Sequence, residues 1–121
     1  MKRLICLLLL LAASCSRSAL PPDVTEQQPK RETPVDEATY TKIFLAGTID
    51  MGNSVDWQAE TIRRFRERND GRYLFFNPRR AAGLDGTTGD MHYQIRWELE
   101  HLEKADLIVM NILGTSKSPI T

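Results

Sequence analysis

A short apolar run that ends in two small residues constrains this chain more than any other feature. Ile43, Phe44 and Leu45 follow one another without a polar break, and Ala46 and Gly47 end the run. Such a run is typical of a strand that is buried on both faces of a parallel sheet. A polar loop and a helix-like segment come next, so the loop lies at the carboxyl edge of the sheet, where open α/β folds bind ligands. The sequence therefore predicts an α/β fold with a ligand crevice beside this run.

Two further apolar runs and two amphipathic segments complete the predicted architecture. The runs occupy residues 73–76 and 107–112, and the helical patterns occupy residues 56–68 and 91–105. Strands that alternate with helices favour an α/β fold built on a parallel sheet. No helical pattern follows the third run before Thr121, so we expect an incomplete fold of three strands and two helices from a truncated sequence.

Residues 1–14 have the pattern of a bacterial lipoprotein signal peptide. Two basic residues precede an apolar stretch from Leu4 to Leu11, which is too short to span a bilayer, and small residues lead to Cys15. Cleavage before Cys15 would leave that cysteine acylated, and two or more acyl chains form a stable anchor. We therefore predict a lipid-anchored protein on the periplasmic face of a bacterial membrane. The alternative is an ordinary cleaved signal, with Cys15 playing no part.

Residues 15–41 are interpreted as a tether that precedes a domain over residues 42–121. The segment holds four prolines among polar residues, which is typical of an extended and mobile chain. Cys6 leaves with the signal, so the mature chain has no cysteine pair for a disulfide or a cysteine-rich metal site. We predict no metal and no cofactor. The 16 basic and 16 acidic residues cancel, which argues against a nucleic-acid partner held by bulk charge.

Polar residues follow the predicted strands and are expected to meet at one edge of the sheet. Asp50 follows the first strand, Asn77, Arg79 and Arg80 follow the second, and Asn111 lies near the end of the third. Parallel strands bring their carboxyl ends to the same edge. Amide and guanidinium groups suit a planar polar ligand or a carboxylate. The alternatives are a turn-capping role for Asp50 and arginines that face solvent.

The helix predicted over residues 91–105 carries a carboxylate within its apolar stripe. The stripe consists of Met91, Ile95, Leu99 and Leu102. Their spacing is typical of a helix face that packs on a core. Glu98 falls inside the stripe, and a buried carboxylate is costly without a partner. We expect Glu98 either to pair with Arg79 or Arg80 or to point into the ligand cavity, whereas Trp97 is expected to face outward.

These segments together resemble the nucleoside 2-deoxyribosyltransferase-like proteins. The matching pieces are Phe44 to Asp50, Asp56-Trp57, Phe76 to Arg80, Trp97 to Leu99 with Leu102 to Asp106, and Gly114-Thr115 with Lys117 to Ile120. The resemblance extends from Lys42 to the end of the chain. It implies a flavodoxin-like or Rossmann-like fold, in which a parallel sheet lies between two helical layers. It also implies the transfer of deoxyribose between nucleobases, through a covalent sugar on a glutamate nucleophile.

The resemblance also implies roles for individual residues. The loop after the first strand would line the nucleoside site, and Asn77 would line the base pocket. The carboxylate of Glu98 would orient the nucleobase or assist its protonation and is the candidate catalytic residue. With the edge residues above, the expected substrate contacts are Gly47, Thr48, Asp50, Asn77, Arg79 and Asn111.

The nucleophilic glutamate that the resemblance implies would lie on a helix after the Ser118-Pro119-Ile120 loop, beyond Thr121. We therefore expect a fragment of an enzyme that transfers or hydrolyses the N-glycosidic bond of nucleosides, without turnover as it stands. One alternative is a membrane-tethered nucleoside- or nucleotide-binding module without catalysis. Another is an envelope interaction protein that uses Trp97. The family often builds active sites between subunits, so a homo-oligomer is a further expectation.

Overall fold

The computed structural model describes residues 22–49, 54–80 and 88–117. The predicted signal peptide, Cys15 and Asp50 lie outside the described residues. The elements in chain order are β1 (Val24–Gln27), a 3-10 helix (Glu37–Thr39), β2 (Thr41–Gly47), α1 (Trp57–Arg68), β3 (Tyr73–Phe76), α2 (Thr88–Lys104) and β4 (Leu107–Asn111).

The four strands form one parallel sheet in the order β1-β3-β2-β4. The three predicted strands are β2, β3 and β4, and β2 lies between the other two. The two predicted helices connect these strands. The α/β, Rossmann-like arrangement is therefore confirmed, with one strand more than the sequence predicted.

The additional strand corrects the interpretation of residues 15–41 as a mobile tether. β1 pairs with β3 in parallel, from Val24 opposite Tyr73 to Gln27 opposite Phe76. Val24 is buried, and the Tyr40 hydroxyl donates to the carbonyl of Pro22 at 3.0 Å. The tether prediction is therefore wrong for residues 22–40. The prediction relied on the polar, proline-rich composition of the segment. Strand pairing uses backbone groups, however, which a polar segment supplies as well as an apolar one.

One face of the sheet packs against α1. The helix begins after Asp56, whose carboxylate accepts from the Ala59 amide at 3.0 Å, so the predicted N-cap is confirmed. It ends at Arg68, and its C-cap is Asn69, which adopts a left-handed conformation with φ of 48°. The buried cluster on this face consists of Val24, Ile43, Leu45, Trp57, Ile62 and Phe75. Burial of this cluster holds α1 against the sheet.

The opposite face packs against α2, in an orientation that the sequence did not predict. Met91, Ile95 and Leu99 are 55%, 51% and 62% exposed, whereas Trp97 is only 3% exposed. The Trp97 indole stacks on the His101 imidazole with 3.8 Å between ring centroids. The expected core stripe is therefore wrong for Met91, Ile95 and Leu99, whereas its fourth member, Leu102, packs against the core as predicted. The outward placement of Trp97 is also wrong. An indole removes more apolar area from water than any residue of the stripe, and this decides which flank of the helix is buried.

β4 is the edge of the described sheet, and both of its faces are exposed. Each residue from Leu107 to Met110 is between 41% and 59% exposed. The prediction of a buried third strand is therefore wrong for the part of the chain that the structure describes. The physical reason is that α1 and α2 pack over the inner strands, so the apolar side chains of β4 project beyond both helices.

The exposed stripe of α2 faces the same edge as β4. On the other flank of the helix, the backbone amide of Lys30 donates to the Tyr93 hydroxyl near β1. Ile95 lies about 160° around the helix from Tyr93, and β1 and β4 are opposite edges of the sheet. The flank that carries Ile95 is therefore directed toward β4.

Two residues of β4 lie on the sheet face that α2 covers. Ile108 pairs with Phe44 and Met110 pairs with Ala46, and both partners belong to the α2-side core. Met91, Ile95 and Leu99 on α2 and Ile108 and Met110 on β4 are apolar side chains that are more than half exposed. No helix within the described ranges is long and apolar enough to cross a membrane.

Candidate functional site

The candidate site lies where the chain changes direction across the sheet. From β2 the chain passes through α1 to β3 on one side, and it then passes through α2 to β4 on the other side of β2. The two helices consequently lie on opposite faces of the sheet. In open α/β sheets, ligands bind in the crevice outside the carboxyl ends of the strands at such a reversal. The carboxyl ends of β2 and β4 therefore define the floor of the candidate crevice.

Gly47 makes this floor possible. Its φ is +126°, and a Cβ atom built on it would lie 2.0 Å from the carbonyl oxygen of Asn111. A side chain at position 47 would therefore overlap the backbone of β4, and the conformation itself is one that glycine adopts far more readily than other residues. The Thr48 amide donates to that same Asn111 oxygen at 3.0 Å. The two backbones meet closely here, which supports the predicted small-residue end of the strand.

Thr48 is a buried junction between three segments. Its hydroxyl accepts from the Leu113 amide at 3.0 Å, beyond the end of β4. Its carbonyl accepts from the Trp57 indole nitrogen at 2.9 Å, at the start of α1. Thr48 is only 3% exposed. The residue expected to touch substrate therefore fixes the two loops that border the crevice.

Arg79 joins the end of β3 to the start of α1. Its guanidinium donates to Gln58 Oε1 at 3.2 Å, Ser54 Oγ at 2.9 Å and the Val55 carbonyl at 3.1 Å. It also lies 3.4 Å from the Asp56 carboxylate, and the residue is 7% exposed. The sequence left open a ligand-binding or a solvent-facing arginine. In the structure, protein acceptors surround this guanidinium on the α1 side of the sheet.

Asn77 holds β1 against the end of β3. Its side-chain amide donates to Glu26 Oε1 at 2.7 Å, and its amide oxygen accepts from the Arg79 backbone at 3.0 Å. Its backbone amide donates to the Gln27 carbonyl at 2.9 Å. Asn77 is 1% exposed. Because β1 was not predicted, this structural contact could not be foreseen.

Glu98 reaches Arg80 through an intervening glutamine. Arg80 Nε donates to Gln94 Oε1 at 3.0 Å, and Gln94 Nε2 donates to Glu98 Oε1 at 2.7 Å. The same Gln94 nitrogen donates to the Pro78 carbonyl at 2.9 Å. The expected pairing of Glu98 with an arginine is therefore indirect. Gln94 was missed by the sequence reasoning, although its position one turn before Glu98 was a signal that could have been used.

The predicted site residues fall into two groups and a separate carboxylate. Gly47, Thr48 and Asn111 meet at the ends of β2 and β4. Asn77 and Arg79 are bonded to each other at the end of β3. Glu98 lies on α2, across the sheet from the contacts of Arg79 with the start of α1. The segments 50–53 and 81–87, which follow the ends of β2 and β3, fall outside the described ranges.

The structure has two surface grooves on its helices, and neither coincides with the candidate crevice. One groove of about 510 Å³ lies beside Thr61 and Phe65 on α1, and another of about 440 Å³ lies beside Ile95 and Leu99 on α2. Both run along outer helix surfaces, away from the crevice floor.

Among the residues placed in the structure, no three His, Cys, Asp or Glu side chains cluster to hold a metal ion.

A comparison with known families decides the relationship. The family model for nucleoside 2-deoxyribosyltransferase like proteins matches residues 40–121. The chain belongs to this family. The match begins beside β2 and includes the crevice floor, Gln94 and Glu98, whereas β1 precedes the match. A search of curated proteins found no match to the chain. The nucleoside 2-deoxyribosyltransferase-like relationship inferred from the sequence is therefore confirmed.

Proposed function

We propose that this nucleoside 2-deoxyribosyltransferase-like domain binds a nucleoside at the crevice outside β2 and β4 and serves the transfer or hydrolysis of its N-glycosidic bond. The observation that carries the proposal is the close approach of Gly47 to Asn111 at the reversal point of the sheet. This approach holds the ends of β2 and β4 together, so the loops that follow the two strands border one crevice at the carboxyl edge of the sheet. Family membership supports a nucleoside as that ligand.

Some residues at the crevice would contact the nucleoside, and others would hold the loops that border it. Backbone groups at Gly47 and the half-buried Asn111 side chain would contact the nucleoside, as would Asp50. Thr48 and Arg79 would hold the bordering loops, because their polar groups already bond to protein partners. A carboxylate nucleophile would trap the sugar as its bond to the base breaks. We propose that this group is a glutamate encoded beyond residue 121.

Binding is tested by titrating the chain calorimetrically with 2′-deoxyinosine and 2′-deoxyadenosine. We expect saturable binding, and we expect Asn111→Ala to weaken it about tenfold, the effect of losing one hydrogen bond in a desolvated site. Asn69→Gly is the matched control, because Asn69 lies at the far end of α1 in a left-handed conformation that glycine accepts. Equal affinity of Asn111→Ala and the unaltered chain would remove Asn111 from the site.

Chemistry is tested separately from binding, on a chain extended by the codons that follow Thr121. The extended chain is incubated with 2′-deoxyinosine and adenine, and the products are separated by chromatography. Formation of 2′-deoxyadenosine supports base transfer, and release of hypoxanthine alone supports hydrolysis. Binding without either product would favour the non-catalytic nucleoside-binding module.

We also propose that Cys15 is lipidated and that the domain lies close to a membrane. Because β1 begins at Val24, the connection to the anchor is limited to residues 16–23. Such a segment spans at most about 28 Å when fully extended. Labelling with a radioactive fatty acid and fractionation of cells test the anchor. Cys15→Ala should abolish both the label and membrane association, whereas an unchanged membrane fraction would contradict the proposal.

A further inference from the structure

We propose that the short connection to Cys15 holds the amino edge of the sheet against the headgroups of the membrane, so that the crevice opens toward the aqueous compartment. This orientation rests on the proposed lipid anchor and the proposed crevice, and it adds an interaction surface to them. Two features of the chain point to it, which are the place where the chain enters the fold and the short distance in sequence between that place and Cys15.

The chain enters the fold at the amino edge of the sheet. The Asp23 carbonyl accepts from the Tyr73 amide at 2.7 Å, and the Pro22 carbonyl accepts from the Tyr40 hydroxyl at 3.0 Å. Tyr73 is the first residue of β3, and it is in register with the first residues of β1 and β2. Three strands therefore begin at one level, and the chain is held at that level from Pro22 onward.

The connection between the anchor and the fold is short compared with the height of the sheet. The chain from Cys15 to Pro22 covers seven Cα–Cα steps, which span at most about 25 Å when fully extended. A flexible chain of this length has a root-mean-square extent of about 15 Å. β2 rises about 20 Å from Thr41 to Gly47, at about 3.3 Å for each residue. The crevice floor is therefore farther from the entry level than a relaxed connection extends.

The two orientations of the domain differ in the length of connection that they require. With the amino edge toward the membrane, Pro22 lies beside the headgroups, and a relaxed connection is long enough. With the crevice toward the membrane, the connection must run back along the height of the sheet and past the loop that follows Gly47. That path takes nearly the full extended length and so removes most of the conformational freedom of the connection. The amino edge is therefore the side that faces the membrane.

The amino edge presents balanced charges to the headgroups. Four ion pairs lie where the helices end and where the strands begin. They join Arg68 to Asp70, Lys42 to Asp106, Lys104 to Glu37 and Arg72 to Asp23, with nitrogen–oxygen distances from 2.7 to 3.8 Å. Zwitterionic headgroups carry both signs of charge and match such a surface, whereas burial of these side chains in hydrocarbon is costly. The edge therefore suits contact with the lipid surface without insertion.

The orientation is tested on the lipidated chain in vesicles of phosphatidylcholine, with nitroxide groups on a fraction of the headgroups. A fluorescent probe is attached to Arg66→Cys or to Ala59→Cys. Both residues are exposed on the same side of α1, and Arg66 is nearer the amino edge. Once Cys6 leaves with the signal and the Cys15 sulfur carries lipid, the introduced cysteine supplies the only thiol. Because the two probes differ in height by about 10 Å, we expect the nitroxides to quench the Arg66→Cys probe about twofold more strongly or better.

A longer connection tests the cause of the orientation. Insertion of about 20 Gly and Ser residues after Ala19 raises the relaxed extent of the connection to about 30 Å, which exceeds the height of β2. The ratio of quenching between the two probes should then fall toward one. An unchanged ratio would overturn the role of the short connection.

The remaining outcomes separate this orientation from the proposals on which it rests. Equal quenching of the two probes in the chain without the insertion, or stronger quenching of the Ala59→Cys probe, would overturn the orientation. A chain that carries no lipid and does not associate with the vesicles would overturn the anchor and the orientation together. The quenching needs no nucleoside, so a failed nucleoside titration would remove the proposed site and leave the measured orientation of the domain in place.

Discussion

At the scale of single residues, backbone geometry at Gly47 limits what the crevice floor can be. The residue combines φ of +126° with an approach to Asn111 that leaves no room for a Cβ atom. Either condition alone favours glycine, and the two together exclude other residues from the observed arrangement. Any substitution of Gly47 would therefore push β2 and β4 apart at this point.

Gly47→Ala should destabilise the chain by roughly 2–5 kcal/mol, the combined cost of an unfavourable φ and of steric overlap with backbone. Denaturation in urea, followed by circular dichroism, measures the loss. Gly114→Ala is the control, because nothing lies within 4 Å of a Cβ atom at that position. An Ala variant at 47 as stable as the control would mean that the two strands are not in contact here.

At the scale of elements, the rotation of α2 is set by aromatic contacts. Trp97 stacks on His101, and His101 packs edge-to-face on Phe76 with ring centroids 4.7 Å apart. Glu32 accepts from the Trp97 indole and lies 3.3 Å from His101 Nε2. Since the segment before β2 supplies Glu32, the helix and that segment hold each other in place.

Trp97→Ala should destabilise the chain more than Leu99→Ala, whereas the apolar pattern of the sequence predicts the reverse order. Trp97→Ala removes a buried indole and should cost about 3–5 kcal/mol. Leu99 is 62% exposed, so Leu99→Ala should lower the free energy of unfolding by less than about 1 kcal/mol. Urea denaturation of both variants measures the difference. A larger loss for Leu99→Ala would restore the original assignment of the core face.

The start of β4 is held to β2 by a reciprocal contact. The Lys42 amide donates to Asp106 Oδ2 at 2.8 Å, and the Asp106 amide donates to the Lys42 carbonyl at 2.8 Å. The bond from the Lys42 amide, together with the Lys42 ammonium, lowers the pKa of the Asp106 carboxyl below its usual 3.8. A lowered pKa in the folded state means that the ionised form is the one that folding stabilises.

Asp106→Asn should therefore reduce stability at neutral pH and lose that effect in acid. The stabilisation from Asp106 is complete above the unfolded-state pKa, about 4, and is lost as pH falls toward the lower folded-state pKa. Urea midpoints of both proteins at a series of pH values measure it. The two curves should begin to converge as the pH falls below about 4 and should meet once it is below the lower folded-state pKa of Asp106. A constant gap across the series would show that the charge of Asp106 is not the cause.

At the scale of the whole molecule, the sheet extends to the N-terminal side of the family match. β1 covers the edge of β3 that would otherwise present unpaired backbone groups. Two of the bonds are from the Tyr73 amide to the Asp23 carbonyl at 2.7 Å and from the Asn77 amide to the Gln27 carbonyl at 2.9 Å. The part of the chain interpreted as a tether is therefore part of the folded unit from residue 22.

Hydrogen exchange distinguishes a paired β1 from a mobile tether. The amides of Tyr73 and Asn77 should exchange slowly, as should the Thr41 amide, which donates to Arg72 inside the sheet. In a variant that lacks residues 1–29, Tyr73 and Asn77 should lose protection while Thr41 retains it. Fast exchange of Tyr73 and Asn77 in the intact chain would show that β1 is not paired.

The sequence by itself determined the local features of this protein. Apolar runs, the Asp56 cap and the small residues after Leu45 predicted β2, β3, β4 and the start of α1, because each of these features depends on neighbours within a few positions. Tertiary structure alone decided which flank of α2 is buried and that β1 joins the sheet. It also decided that Arg79 and Asn77 bond to protein groups. These outcomes depend on competition between distant partners for the same area and the same hydrogen bonds, which the order of residues does not record.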